Sequence, residues 1–385
     1  MKKCIWLSLI FIFSCTQEKE VDIYTPSDFI VGEVTIRTDS LFTDLYDYHS
    51  FKYKGKKYLV GLDAVNENGL FFYDLETEEI PHHIPSIKEG KDKFIIEDYY
   101  IHNSDSIFLV WYVGERVKLT NIEQTQETTF FVGDAMRKKD SISFGYMDKG
   151  GNCFFWSSGQ KKMIFPVYPL FENTSVNLYN NGYFAFYDTY KNEFSDKHGK
   201  YPRHLFANKE GYFLYAMDMT VFPKNGNIFV ILFPQDHNIY TYDTQQRLLT
   251  PISTWKSKYL PVNFERLSAN ADFQLRENYS NMQGMYINDF YDVDHQTLYR
   301  VVKHKQPLKN ADGLLNEYLE SSWSIMYGRL GADARDVKEM KFPERKYHFG
   351  QVCYVGDGKF LVSKNNPYNE ENIENEIAFD LIEMK

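Results

Sequence analysis

The sequence predicts an all-β fold: a single β-propeller of six blades, with seven as the alternative, carrying short helical insertions. Three observations lead there. The chain is rich in aromatic side chains, with 30 Tyr, 31 Phe and 5 Trp in 385 residues. Such residues fit a pleated, half-buried surface, so the composition favours sheet. The apolar runs are also short and end in turn residues. Tyr58-Leu59-Val60, Leu70 to Tyr73, Ile107 to Val113, Ile228 to Phe233 and Phe360-Leu361-Val362 are all bounded by Gly, Asn, Asp or Pro. Finally, one phrase recurs, an apolar strand that closes on Tyr-Asp.

The copies of that phrase end at Asp74, Asp188, Asp243 and Asp292. An aspartate at a strand end hydrogen-bonds the backbone two residues on and turns the chain into a hairpin. Asp188, Asp243 and Asp292 are 55 and 49 residues apart, and Asp74 lies 114 before Asp188, two such steps. A period of about 50 is what four-stranded propeller blades with long loops produce. Two packed sheets would not bring a hairpin back at that interval. Few segments hold a helical period for long; Leu314 to Ser322 and Phe264 to Tyr279 are the helix candidates, as insertions between strands. Ile30 to Thr38 and Glu376 to Met384 read as strands at opposite ends of the domain. One blade completed by both would leave no long open edge.

The first residues have a different character. Met1-Lys2-Lys3 is followed by an apolar run from Cys4 to Phe13 and then Ser14-Cys15. This is the layout of a secretory signal, and it falls short of the roughly 20 apolar residues a membrane-spanning helix needs. Ile12-Phe13-Ser14-Cys15 resembles a lipobox, although Phe13 is not the favoured residue at its place. The resemblance implies cleavage after Ser14 and lipidation of Cys15. Several acyl chains on one cysteine give stable anchoring, at about 0.8 kcal/mol per buried methylene. The expected organisation is therefore a signal peptide over 1–14, a lipidated N-terminus and linker over 15–27, and the propeller over 28–385. Gln17-Glu18-Lys19-Glu20 resembles the acidic surface-export tag of Bacteroidota lipoproteins. The expected address is the cell envelope, at the outer membrane, with the choice between surface-facing and periplasm-facing left open.

Removing the first 14 residues leaves 371, enough for a large core. The loss of Lys2 and Lys3 takes the formal charge from −10 to −12. An acidic chain without a basic stripe is not expected to bind nucleic acid, and Arg137-Lys138-Lys139 is flanked by Asp134 and Asp140. Cys153 and Cys353 sit in apolar, strand-like runs and read as buried free thiols, with a disulfide as the alternative.

The C-terminal part carries a family resemblance. Ser324 to Tyr327, Val337 to Phe342, Gly358 to Pro367 and Ala378 to Leu381 look like the last blade of Bacteroidota lipoproteins of the domain-of-unknown-function 4221 family. Tyr291-Asp292 followed by Leu298 to Val301 resembles that family's penultimate blade. The resemblance implies a six-bladed, TolB-like propeller and supplies no activity.

No stretch matches a Gly-rich phosphate loop, a nucleophile elbow, a His-Glu-x-x-His helix or a Ca²⁺ loop. No catalytic residue, metal site or cofactor is therefore assigned. His82-His83 would face opposite ways on a strand, so a solvent-exposed turn is the expected place for the pair. Asp292-Val293-Asp294 reads as a hairpin cap before a cation site. Asn365 to Glu371 reads as a polar loop near the end. Trp255, Tyr259, Tyr279, Tyr286 and Trp323 are the aromatics that a propeller mouth could stack on sugars, with core packing as the stronger reading for each. Two function classes follow. One is a lipid-anchored lipoprotein that binds or scaffolds a protein, peptide or glycan; the other is a propeller hydrolase or lyase. Binding is favoured, and the two differ in whether free titratable groups converge at the mouth.

Overall fold

The computed structural model describes residues 23–38, 45–63, 65–139, 143–144, 155–157, 161–168, 182–195, 197–208, 210–215, 218–332 and 336–384. The signal segment, Cys15 and Cys153 lie outside them. Six antiparallel sheets follow one another along the chain, each a blade of a propeller. Blade 1 runs Tyr46–Tyr53, Lys56–Asp63, Gly69–Asp74, His82–Pro85. Blade 2 runs Asp98–Asn103, Ser106–Trp111, Arg116–Thr120, Glu127–Phe130. In blade 3 the inner edge is made of two short pieces, Ser143–Phe144 and Phe155–Ser157. Both pair with Lys162–Tyr168, and Phe184–Asp188 and Glu193–Phe194 follow. Blade 4 is Thr220–Asn225, Ile228–Leu232, Asn238–Asp243, Leu248–Thr254. Blade 5 is Met285–Asp292, Thr297–Lys303, Trp323–Arg329, Lys338–Phe342. Blade 6 takes Val352–Gly356, Lys359–Ser363 and Glu376–Glu383 from the C-terminus and its outer strand, Ile30–Arg37, from the N-terminus.

The two chain ends thus share a sheet, as their strand patterns predict. Residues 23–27, assigned to the linker by sequence, begin on blade 5: Ile23–Tyr24 runs parallel to its outer strand, with Ile23 opposite Glu339. The core lies between blades. Apolar side chains of blade 6 (Cys353, Leu361, Phe379) and blade 1 (Tyr48, Leu59, Phe71) form one cluster, and similar clusters fill the other seams. Cys353 is a free, buried thiol in this seam, and burial pushes its pKa up.

The Tyr-Asp hairpins have one geometry. Oδ1 of Asp74, Asp188, Asp243 and Asp292 accepts from the backbone N–H groups two and three residues on, at 2.8 to 3.3 Å. Four residues after each aspartate the backbone turns left-handed, at Glu78 (58°), Asn192 (54°), Arg247 (53°) and Gln296 (53°). The period needs one correction. Asp74, Asp188 and Asp243 end the third strand of their blades, whereas Asp292 ends the first strand of blade 5. The 49-residue interval is therefore not a blade step. In a four-stranded antiparallel blade, however, the first and third strands point the same way, so all four hairpins lie on one face of the ring.

The helical expectations are corrected as well. Leu314 to Ser322 holds only a 3-10 turn, Tyr318–Glu320, closed by reciprocal Glu317 and Glu320 caps. Leu314 and Leu315 are exposed and give a longer helix nothing to bury. The second candidate starts later than expected, as helix α2 (Phe273–Met282), once Asp272 caps the N–H of Leu275 at 2.8 Å. Ahead of it, Leu267 is held extended by a backbone bridge to Tyr212. Helix α1 (Val132–Lys139) has no counterpart in the sequence reading; it buries Val132, Ala135 and Met136 between blades 2 and 3. His82 and His83 lie in a strand rather than a turn. His83 stacks on Phe71 at 4.1 Å and His82 meets Tyr53, Tyr58 and Phe72 edge-on, so the two rings face opposite ways.

The hairpin mechanism makes a stability prediction. Asp243→Ala removes the acceptor for two backbone N–H groups and should cost about 1 kcal/mol of unfolding free energy in urea. Asp243→Asn keeps an acceptor oxygen and should cost less. Equal losses for the two variants would contradict the mechanism.

Candidate functional site

Connections between strands one and two, and three and four, are mostly tight turns on the hairpin face. The opposite face carries the second-to-third connections and the links between blades, including the long segments 255–284 and 304–322. Loops hung on a rigid scaffold are where binding residues concentrate. Two of the concavities among the described residues bear on the site. A cavity of about 310 Å³ lies among the inner strands of blades 1, 2, 4, 5 and 6, lined by Asp47, His49, Tyr100, Phe222, Asp289 and Tyr354 among others. A wider groove of about 780 Å³ opens on the loop face of blade 4, between His204, Glu210, Phe213, Thr254, residues 235–238 and residues 262–266.

The groove is built around Asp236. The run Pro234-Gln235-Asp236-His237-Asn238 interrupts the apolar strands of blade 4 and puts polar side chains at their ends. Asp236 is buried, and all its acceptor positions are in use. Oδ2 accepts from His204 Nε2 (2.8 Å) and Tyr240 OH (2.6 Å), and Oδ1 accepts from the Asn238 backbone N–H (3.0 Å) and Nδ2 (2.8 Å). Burial alone would raise its pKa, but the bonds from His204, Tyr240 and Asn238 outweigh that and hold it below the ordinary value. His237 donates from Nε2 to the Pro261 carbonyl at 2.9 Å, its Nδ1 lies 2.9 Å from Tyr286 OH, and its ring packs on Phe264 at 4.9 Å. Burial lowers its pKa, and both ring nitrogens are taken up by these contacts. Across the groove Glu265 is paired with Lys305 at 2.6 Å. Arg266 donates to the carbonyls of Phe206, Gly211 and His204 and stacks over Phe213 at 4.2 Å.

Blade 5 supports this groove with buried charge. Arg300 is fully buried, pairs with Asp289 at 3.0 Å and sits 3.4 Å above the Tyr286 ring. Its remaining nitrogens donate to the carbonyls of Phe233 (3.1 Å) and Asp236 (3.3 Å). Lys303 is also fully buried; its ammonium donates to the carbonyls of Asn281 and Gln283 at 2.8 and 2.9 Å, and burial pulls its pKa down to about 7. Beside it His304 stacks on Tyr259 at 3.8 Å and contacts Ser322 and Ser324. Burial, with the Lys341 and Lys303 ammoniums nearby, pulls this imidazole down to about 3. Ser324 also donates to Glu339. The serine bridges histidine and glutamate, instead of histidine bridging the other two. With Ser324 and Glu339 fully buried, this is a structural network and lacks the order of a nucleophilic triad.

The sequence candidates are scattered by the fold. Trp255, Tyr279, Tyr286 and Trp323 are buried in the core, and Tyr259 is half-buried against His304. Asp292 caps its hairpin, and its Oδ2 also takes bonds from His295 (2.7 Å) and Tyr354 (2.5 Å). In the Asn365 to Glu371 loop, Asn366 is fully buried and donates to the carbonyls of Leu319 and Tyr347, tying blade 6 to blade 5. None of these residues lines the groove. Its members His204, Asp236, His237, Glu265 and Arg266 went unread in the sequence. The local signal was a run of four polar residues, Gln235 to Asn238, between two apolar strands. Among the described residues no three His, Cys, Asp or Glu side chains converge to hold a metal ion, and no helix is long and apolar enough to cross a membrane.

No protein-family model matches the sequence, and no curated protein does. Among solved structures, a member of the domain-of-unknown-function 4221 family from Bacteroides vulgatus superposes with a TM-score of 0.69 at 17% identity, covering 92% of this chain and 97% of that one. A protein of Bacteroides fragilis named as exported superposes with a TM-score of 0.52 at 12% identity, covering 92% and 95%. These likenesses bear out the propeller fold and the expected likeness to the 4221 family at the level of fold.

Two predictions rest on the buried charges. Asp289→Ala strands the Arg300 guanidinium and should cost about 3–5 kcal/mol, while Asp289→Leu combined with Arg300→Met should recover most of that. A double variant as unstable as Asp289→Ala, measured by urea unfolding, would contradict the account. For Lys303, the folded amine titrates near about 7 and the unfolded one near 10.5. Between those values the unfolded chain binds more protons, so this lysine makes stability rise with pH from about 7 upward. Lys303→Met should flatten that rise; parallel pH–stability curves for wild type and variant would rule it out.

Proposed function

We propose that this chain is a membrane-anchored lipoprotein of the cell envelope, whose propeller holds a protein, peptide or glycan partner in the loop-face groove. The observation that carries the reading is the state of Asp236. A catalytic base needs a lone pair free toward its substrate, and this carboxylate spends its acceptor positions on His204, Tyr240 and Asn238. Glu265 is likewise held by Lys305 and Gln283. The two carboxylates at the centre of the groove are therefore already engaged, and the exposed Glu210 at its edge has no second free carboxylate beside it among the described lining residues, which favours recognition over turnover.

The anchor rests on the signal and lipobox at the N-terminus, and the structural likeness to a protein named as exported agrees with export. Seven residues separate Cys15 from Ile23, a reach of at most about 29 Å over the eight steps. A tether of that length keeps the outer edge of blade 5 close to the bilayer.

Membrane fractionation and capture test the two halves separately. Cys15→Ser should move the protein from the membrane to the soluble fraction; retention at the membrane would sink the anchor. The full-length protein in detergent should retain an envelope protein, peptide or glycan without releasing product. Turnover of a glycan or peptide would replace the binding reading with the hydrolase or lyase one.

A further inference from the structure

The lining of the groove narrows the partner class. This step rests on the binding reading above. Ten of the thirteen lining residues carry polar side chains, and Phe213, Val262 and Phe264 are the exceptions. A protein partner anchors itself through aromatic or aliphatic side chains in apolar pockets, whereas the apolar surface here comes from Phe213, Val262, Phe264 and the carbon stems of polar side chains. An extended peptide adds to an open sheet edge. The outer strand of blade 4 reaches the groove only with its last residue, Thr254.

Charge narrows the choice further. Asp236 is saturated by four donors, Glu265 is neutralised by Lys305, and Arg266 is spent on three backbone carbonyls. What stays at the exposed mouth is the outer face of His204, the carboxylate of Glu210 and the amide of Asn263, while the Thr254 hydroxyl gives its proton to Asn238 Oδ1 at 2.7 Å and is left as an acceptor. An amide both donates and accepts hydrogen bonds and a carboxylate accepts from hydroxyl groups, which is what a polyhydroxylated ligand without negative charge asks of its site. Beside them Phe264 is half-exposed and its ring is fixed from behind by His237 at 4.9 Å. His237 is in turn held by Pro261 and Tyr286. A rigid aromatic face next to these polar groups suits the C–H face of a pyranose with its hydroxyls turned to the rim. At about 780 Å³ the groove lies within the range of roughly 300–1,000 Å³ typical of ligand clefts.

We propose that the loop-face groove of blade 4 binds a neutral oligosaccharide, seated on Phe264 and hydrogen-bonded by His204, Glu210 and Asn263. Calorimetry on the full-length protein in detergent tests this. The probes are short neutral gluco-, manno- and xylo-oligosaccharides, an acidic oligogalacturonide, and a peptide library. Saturable binding of at least one neutral oligosaccharide is expected, weakened about tenfold or more by Phe264→Ala and by Asn263→Ala. Asn263 is exposed, so its variant should keep the wild-type melting temperature and serves where Phe264→Ala fails to fold.

The proposal is overturned if no neutral oligosaccharide binds. It is also overturned if the acidic oligomer or a peptide binds in preference, or if neither variant weakens neutral binding. A peptide seated in the groove would leave the binding reading standing and remove the glycan. A neutral glycan that is bound and cleaved would leave the ligand class standing and remove the binding-only reading.

Discussion

Everything in this molecule depends on the pairing of Ile30–Arg37 with Glu376–Glu383. Those strands come from opposite ends of the domain, and their ladder runs from Ile30 opposite Ile382 to Arg37 opposite Glu376. Without it blade 6 would have three strands and an open edge, and nothing in the backbone would join the last blade to the first. With it, Tyr48, Leu59 and Phe71 of blade 1 pack against Leu361 and Phe379 of blade 6, and the ring is closed by burial as well as by hydrogen bonds. The long-range character of this contact sets its entropic cost, because nearly the whole domain lies between the partners. The stretch just before the closing strand shares that burden by adding Ile23–Tyr24 to blade 5.

Closure turns a chain of hairpins into an object with two different faces. On one face the aspartate turns repeat a single solution, short and self-satisfied in hydrogen bonds. On the other, segments such as 255–284 and 304–322 rise above the blades and have to find partners for their own polar groups. They find them in side chains, two fully buried and one half-buried: Lys303 serves the carbonyls of Asn281 and Gln283, Asn366 those of Leu319 and Tyr347, and the half-buried Arg266 those of Phe206, Gly211 and His204. Buried cations that would be liabilities in an apolar core are here the means by which irregular backbone is held still.

This asymmetry decides what the sequence could reveal. The aspartate hairpins were legible because their cause is local: an acceptor at one residue and donors two and three residues later. Paired strands were legible for a similar reason, since aromatic runs between turn residues carry their own signature. Asp292 shows the limit of such reading. Its turn chemistry was right and its place in the blade was wrong, because local geometry does not record which strand of a blade it terminates. The groove was illegible for a stronger reason. His204 and Asp236 are 32 residues apart and Arg266 a further 30, and only the packing of two inter-blade loops over blade 4 brings them together. The exposed-looking aromatics misled in the opposite direction: Trp255 and Trp323 stand near loops in sequence yet are fully buried where loop meets blade.

The groove and the centre of the ring are joined through one side chain. Asp289 lines the central cavity, and its partner Arg300 reaches outward to the carbonyls of Phe233 and Asp236, the start of the turn on which the groove is built. A guanidinium suits this task better than an ammonium would. It presents several donors in one plane, which lets it hold a carboxylate and two carbonyls at once, and its face can lie on Tyr286. Desolvating that charge is costly, so the pair is poor evidence for added stability. It is better understood as a fixed spacer between blades 4 and 5. Asp236 can present His204 and Asn238 at set positions because its own backbone is pinned from inside the ring.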